Sequence, residues 1–286
     1  MKRFLLVALR SLILIYIAIV TLFGSFQRKL IYFPSRPLAG EDKMAHLAAS
    51  VGFEPWRDVH GQRIGWRQIS PAGVQPKNRM IVFHGNAGCA FDRAQYAKGF
   101  GNIEQGRVWQ TYLFEYPGYD SRPGAPSQES FCAAGREAVE QLAAEDSRPI
   151  YLTGESLGSG VACALASALP QTVCGIFLMT PFSSLGEVAS HHYPWLPIRL
   201  LLRDRWSNTE ALHQYRGPVA IMIAGEDEVV TTGQSEKLYA SYTGPKQRWF
   251  DAEATHNTVS NSTFLSWWQE VSDFLLTDTR QRLSPP

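Results

Sequence analysis

Pro149-Ile150-Tyr151-Leu152-Thr153-Gly154-Glu155-Ser156-Leu157-Gly158-Ser159-Gly160 is the stretch on which the fold turns. Its first five residues are a short run of β-formers, the pattern of a buried strand. From Leu157 to Leu169 the residues are small and rich in alanine, the composition of a helix packed closely on its neighbours. Between the two stands Gly-x-Ser-x-Gly. A strand that reverses directly into a helix makes a sharp, strained turn, so its flanking residues must be small. Gly154 and Gly158 leave room for strand and helix to approach, and Gly160 extends the small face. The turn lifts Ser156 to the carboxyl end of the sheet, at the positive end of the helix dipole. The strand before it and the helix after it distinguish this nucleophile turn from an ordinary Gly/Ser-rich loop.

Short apolar runs alternate with helical patterns on both sides of that turn. Met80-Ile81-Val82-Phe83, Thr111-Tyr112-Leu113-Phe114, Gly175-Ile176-Phe177-Leu178-Met179, Val219-Ala220-Ile221-Met222-Ile223 and Gln247-Arg248-Trp249-Phe250 read as strands. Ser127 to Ala144 and Ser262 to Leu276 read as helices. Trp56 to Ile69 has the look of an antiparallel hairpin turning at His60-Gly61-Gln62. The expected architecture is α/β, a mostly parallel central sheet covered by helices on both faces. Residues 182–216 interrupt the rhythm with Trp, Tyr, Pro and Leu, and are expected to form a short cap over the site. Tyr193, Trp195, Leu196 and Trp206 are its candidate substrate contacts; packing within the cap is the competing role for these side chains.

A serine hydroxyl needs a base to become nucleophilic. In architectures built on such a turn, an acid and then a histidine follow the serine along the chain. Asp227, in Gly225-Glu226-Asp227-Glu228, comes just after the strand that ends at Ile223. His256 comes just after the strand that ends near Phe250. His46 and His60 lie too early, and His191, His192 and His213 lie in or near the cap. Ser156, His256 and Asp227 are therefore the candidate nucleophile, base and orienting acid, with Glu226 and Glu228 as competitors for the acid. The oxyanion requires donors placed before charge develops. His84-Gly85-Asn86-Ala87-Gly88 follows a strand and can turn backbone N–H groups inward. Asn86 and Leu157 are the candidate donors, with Ala87 as the alternative in the first loop and His84 read as structural.

The chain resembles the membrane-anchored α/β-hydrolase-domain serine hydrolases of the α/β-hydrolase superfamily. The resemblance rests on Phe33-Pro34-Ser35-Arg36, the loop at 84–88, Tyr116-Pro117-Gly118-Tyr119-Asp120-Ser121, the turn at 154–158, Tyr193-Pro194-Trp195-Leu196-Pro197 with Arg203-Asp204-Arg205-Trp206, and His256-Asn257. It covers about residues 25–275. Pro117 and Asp120 stand where the family carries Arg and Gly, and Thr231 where Pro is common. The resemblance implies hydrolysis of esters or thioesters, lipid-like ones included, without metal or cofactor. An amide or peptide hydrolase with the same triad and a catalytically silent binding scaffold are the rival readings; the latter predicts a broken triad. A dehalogenase would need Asp where Ser156 stands.

Phe4 to Phe26 is almost wholly apolar and interrupted by Arg10. As a helix these residues reach about 35 Å, enough to cross a bilayer core. The expected organisation is a transmembrane signal anchor over 1–26, a linker over 27–55 punctuated by Pro34, Pro37 and Gly40, and the hydrolase domain over 56–286. A cleavable signal peptide is the alternative, opposed by the lack of a small-x-small site after the apolar run. Basic residues flank the segment almost equally, so the membrane side stays open. A net charge of +1 without a basic cluster argues against a nucleic-acid partner. The four cysteines lack metal-site spacing and read as buried thiols, one or two disulfides being the alternative.

Overall fold

A computed structural model describes residues 1–35 and 40–283; Arg36 and Pro37 lie outside the described residues. Helix α1 (Lys2–Ile31) and α2 (Glu41–Ser50) precede the sheet. Eight strands follow: β1 (Phe53–Arg57), β2 (Arg63–Gln68), β3 (Asn78–Phe83), β4 (Trp109–Phe114), β5 (Ile150–Glu155), β6 (Val173–Met179), β7 (Val219–Ala224) and β8 (Lys246–Asp251). They form one sheet in the order β1-β2-β4-β3-β5-β6-β7-β8. The β1–β2 and β2–β4 pairs are antiparallel and the remainder parallel. A continuous apolar strand needs cover on both faces, and each face has its own core. Ile81, Phe83, Leu152 and Ile221 pack against α4 (Gln128–Glu145), α5 (Leu157–Ala168) and α9 (Thr232–Ser241). Met80, Val82, Tyr151 and Met222 pack against α2, α3 (Ala94–Gly101) and α10 (Trp267–Leu283).

The turn between β5 and α5 is as tight as its glycines imply. Ser156 sits at φ 50°, ψ −115°, a conformation that costs a non-glycine residue about 1–3 kcal/mol. A Cβ on Gly154 would lie 2.5 Å from the Gly158 carbonyl oxygen, and one on Gly158 would overlap the carbonyl oxygens of Phe83 and His84. The helix therefore lies against the backbone of two strands. Ser127 caps α4 by accepting from Ser130 N at 3.0 Å, which fixes the helix start seen in the sequence pattern.

Two departures from the sequence expectation have local causes. Helix α3 follows a loop and carries the buried Tyr96, Ala97 and Phe100 on one side; it is too short to show a sustained helical period. Helix α10 begins at Trp267, five residues after the expected Ser262. Leu265 N donates to Ser262 O and the Trp268 indole donates to the same oxygen, so 262–266 forms a turn and Phe264 stays exposed.

Between β6 and β7 three short helices, α6 (Leu185–His192), α7 (Ile198–Leu201) and α8 (Asn208–Leu212), make up the insertion. Its two ends meet in a bridge between Ser184 and Ser207, and Asn208 ties it to α5 by donating to Ser159 Oγ at 2.9 Å. Asp120, where the resembled family carries Gly, has φ 48°. The left-handed conformation explains a glycine, and aspartate is among the residues that tolerate it. Its carboxylate accepts from the Arg63 guanidinium at 2.7 Å, with side-chain exposures of 8% and 5%. Asp120→Gly should relieve backbone strain of about 1–2 kcal/mol. It should also strand a buried charge, at a cost of about 3–5 kcal/mol. Thermal unfolding of the detergent-solubilised protein is expected to show a lower Tm for the variant; an unchanged or raised Tm would mean the ion pair does not outweigh the strain.

Candidate active site

Three loops at the carboxyl edge of the sheet bring Ser156, Asp227 and His256 together. Ser156 is fixed by its turn and by its N–H, which donates to Met179 O of β6 at 2.9 Å. Asp227 follows β7 and His256 follows β8. Their loops are joined: Gly225 N donates to Asp251 O at 2.8 Å and Glu226 N to Ala254 O at 2.9 Å. His256 Nε2 stands 2.8 Å from Ser156 Oγ, and His256 Nδ1 stands 2.7 Å from Asp227 Oδ2. Asp227 is buried and in contact with His256, whereas its competitors Glu226 and Glu228 are exposed. This chain of contacts has the geometry in which an imidazole takes a hydroxyl proton while a carboxylate fixes its tautomer.

Burial pushes the Asp227 carboxyl upward, but the His256 hydrogen bond and charge and the N–H groups of Val229 and Val230 outweigh it. The net effect is a pKa below the ordinary 3.8. Both amides donate to Oδ1 at 2.9 Å, leaving Oδ2 aimed at the imidazole.

Asn86 and Leu157 border the same cavity as Ser156 and His256. Leu157 is the first residue of α5, so its N–H has no acceptor within the helix. The Asn86 backbone is held from outside the loop: its carbonyl accepts from Phe33 N at 2.9 Å and from the Tyr119 hydroxyl at 2.7 Å. Phe33–Pro34 and Ala87–Gly88 pair as a two-residue parallel ribbon. His84 is fully buried, with Nε2 3.1 Å from Glu115 and Nδ1 2.8 Å from Gly85 O. Behind the turn, Arg93 clasps the Glu155 carboxylate at 2.7–3.0 Å, compensating a negative charge next to Ser156.

The cavity has a volume of about 540 Å³. The cap lines it with Leu185, Val188, Tyr193 and Leu196, and α1 lines it with Phe23, Gln27, Leu30 and Ile31. Trp195 and Trp206, expected as substrate contacts, are not among its walls. Trp206 is buried beneath Gly160, where its indole donates to the Tyr32 hydroxyl at 3.2 Å. Trp195 lies outside, its ring edge-to-face with Phe23 at 5.7 Å.

The wall formed by α1 escaped the sequence reading. Gln27 donates to Leu201 O at 2.9 Å and accepts from Arg203 N at 2.7 Å. Arg28 pairs twice with Asp204, both contacts at 3.0 Å, and the Tyr32 hydroxyl donates to the same carboxylate. The signals present in the sequence were Gln27 at the end of an apolar run and Arg-Asp-Arg-Trp in the cap; nothing local pairs positions more than 170 residues apart. Among the described residues no group of three or more His, Cys, Asp or Glu could hold a metal ion. None of the four cysteines is in a disulfide; Cys163 is buried, whereas Cys89, Cys132 and Cys174 are partly exposed rather than buried as expected.

Comparison with known proteins bears on the fold. A family profile described as alpha/beta hydrolase fold matches residues 78–209. An uncharacterized protein of Mycobacterium tuberculosis is 35% identical over 237 residues, covering 80% of each chain. The lysophosphatidylserine lipase ABHD12 of Danio rerio is 26% identical over 203 residues, 64% of this chain and 52% of that one. Among solved structures, the Pyrococcus furiosus esterase Pf2001 superposes with a TM-score of 0.64 at 16% identity, covering 86% of this chain and 97% of that one.

The depressed Asp227 carboxyl makes a signed prediction. A folded pKa below the unfolded value of about 3.9 contributes stability that is full above the unfolded value and lost as pH falls through the folded one. The Tm difference between the wild type and Asp227→Asn should shrink as pH falls from about 5 to below about 4. A gap that widens on acidification would contradict the assignment.

Proposed function

Because the chain belongs to the α/β-hydrolase superfamily, we propose that it is a serine hydrolase that cleaves a carboxylic ester or thioester through an acyl-enzyme. The single observation that carries this reading is the continuous hydrogen-bond chain Ser156–His256–Asp227. In the proposed cycle His256 takes the Ser156 proton as Oγ attacks the acyl carbon. Asp227 stabilises the imidazolium, which then protonates the departing oxygen or sulfur. The backbone N–H groups of Leu157 and Asn86 receive the oxyanion. Water deacylates the serine by the same steps in reverse order.

The hydrogen-bond contacts among Ser156, His256 and Asp227 favour this reading over the silent scaffold, which predicts a broken triad. The acyl group is proposed to be lipid-like because the cavity walls are mostly apolar side chains and the ABHD12 relative is a lysophosphatidylserine lipase. The esterase Pf2001, at 16% identity, adds the fold alone. We take α1 as a membrane anchor: it is 30 residues long and no part of its apolar window is buried in the protein.

A fluorophosphonate probe should label the wild-type protein and leave Ser156→Ala unlabelled; equal labelling would remove the nucleophile assignment. His256→Ala should lower kcat on an activated ester by about 10⁴-fold or more without loss of the folded state. Retained turnover would move the base elsewhere.

A further inference from the structure

We propose that the tip of the cap is immersed in the bilayer beside α1, so that the active-site cavity is loaded sideways from one lipid leaflet. The inference rests on the hydrolase reading for its substrate but not for its geometry. Its occupant is the lipid surface itself.

The argument begins with a shared environment. The Tyr16 hydroxyl donates to Trp195 O at 2.9 Å, and the Phe23 ring meets Tyr193 and Trp195 edge-to-face at 5.9 and 5.7 Å. Two groups in contact cannot lie in different solvents. Leu12, Leu14, Ile17 and Leu22 of α1 are more than half exposed, as apolar side chains facing lipid would be. If those turns are in the membrane, so is the segment of cap that touches Tyr16.

Depth follows from helix rise. Twelve residues separate Tyr16 from Arg28, about 18 Å along the axis, against a hydrocarbon core of about 30 Å. Arg28 marks the headgroup level, and its partner Asp204 brings the exposed Arg203 and Arg205 of the cap to that level. Arg199 has the length to reach it by snorkelling. Below this belt the cap presents Leu200, 84% exposed, with Trp195 and Tyr193, 49% and 43% exposed. Aromatic and aliphatic side chains below a ring of arginines are the composition of an interfacial anchor.

The cavity lies at the same seam. Phe23, Gln27, Leu30 and Ile31 of α1 face Tyr193, Leu196 and Leu201 of the cap across it. An acyl chain passing between the two walls would move from leaflet to Ser156 without crossing water. The carbonyl would stop near Asn86, whose loop is clamped to Phe33 just beyond α1.

The test uses the full chain in phosphatidylcholine–phosphatidylglycerol vesicles. The emission lost between the wild type and Trp195→Phe isolates Trp195. That component should be quenched by lipids brominated along the acyl chain and spared by iodide in the aqueous phase. Quenching by iodide with none by the bromolipid would overturn the immersion. In the same vesicles Leu200→Glu should slow hydrolysis of an embedded long-chain monoacyl ester by about tenfold or more. Its turnover of soluble p-nitrophenyl acetate should stay within about twofold of the wild type. Undiminished vesicle turnover, or an equal loss on both esters, would overturn leaflet loading. If the wild type hydrolyses neither ester, the hydrolase reading fails, and the quenching measurement still decides the membrane geometry.

Discussion

Ser156 holds a backbone conformation that the chain would not adopt alone, and the packing of α5 on β3 and β5 keeps it there. Gly154 and Gly158 admit the helix to the strand backbones, and no larger residue fits without moving them. Because α5 is pinned, its first amide, the Ser156 hydroxyl and the carboxyl edge of the sheet keep one relation to each other. The parallel order β3-β5-β6-β7-β8 then delivers Asp227 and His256 at that edge. Strain of about 1–3 kcal/mol at one residue is small beside the burial of the two core layers that hold it.

The site depends equally on contacts that join distant parts of the chain. Asp204 receives Arg28 and the Tyr32 hydroxyl, and the Trp206 indole donates to that same hydroxyl. A carboxylate with 4% of its side chain exposed is costly to bury without such hydrogen-bond partners. This knot fastens α1 to the cap, and the Phe33–Asn86 hydrogen bond fastens the segment after α1 to the loop beside Ser156. The helix proposed as a membrane anchor is thus also a wall of the cavity. In the proposed reading, anchoring and substrate binding are mechanically one feature.

How much could be read beforehand follows the range of the interactions. The central strands β3, β5, β6 and β7 were legible because each carries a short apolar run, and the turn because only glycine permits its close approach. Asp227 and His256 were legible from order and strand context, and the structure brings both to Ser156. Asp120 was noticed only as a departure from glycine; its φ of 48° and its pairing with Arg63 supply the reason. Trp195 and Trp206 were indistinguishable from Tyr193 and Leu196 by composition, since all four are large apolar side chains in one insertion. Their separation depends on which way each points once Tyr32 and Phe23, some 170 residues earlier, have docked. Gln27 and Arg28 stood out only as the polar end of an apolar run, with nothing local to point to Leu201, Arg203 and Asp204.

The central claim is that Ser156 forms a covalent acyl intermediate. Rapid acid quench during turnover of a slowly deacylating ester, followed by proteolysis and mass spectrometry, tests it most directly. The peptide containing Ser156 should carry the mass of the acyl group, at a level that rises to a steady state before product accumulates. Turnover with an unmodified Ser156 peptide, or with the acyl group on another residue, would contradict the account.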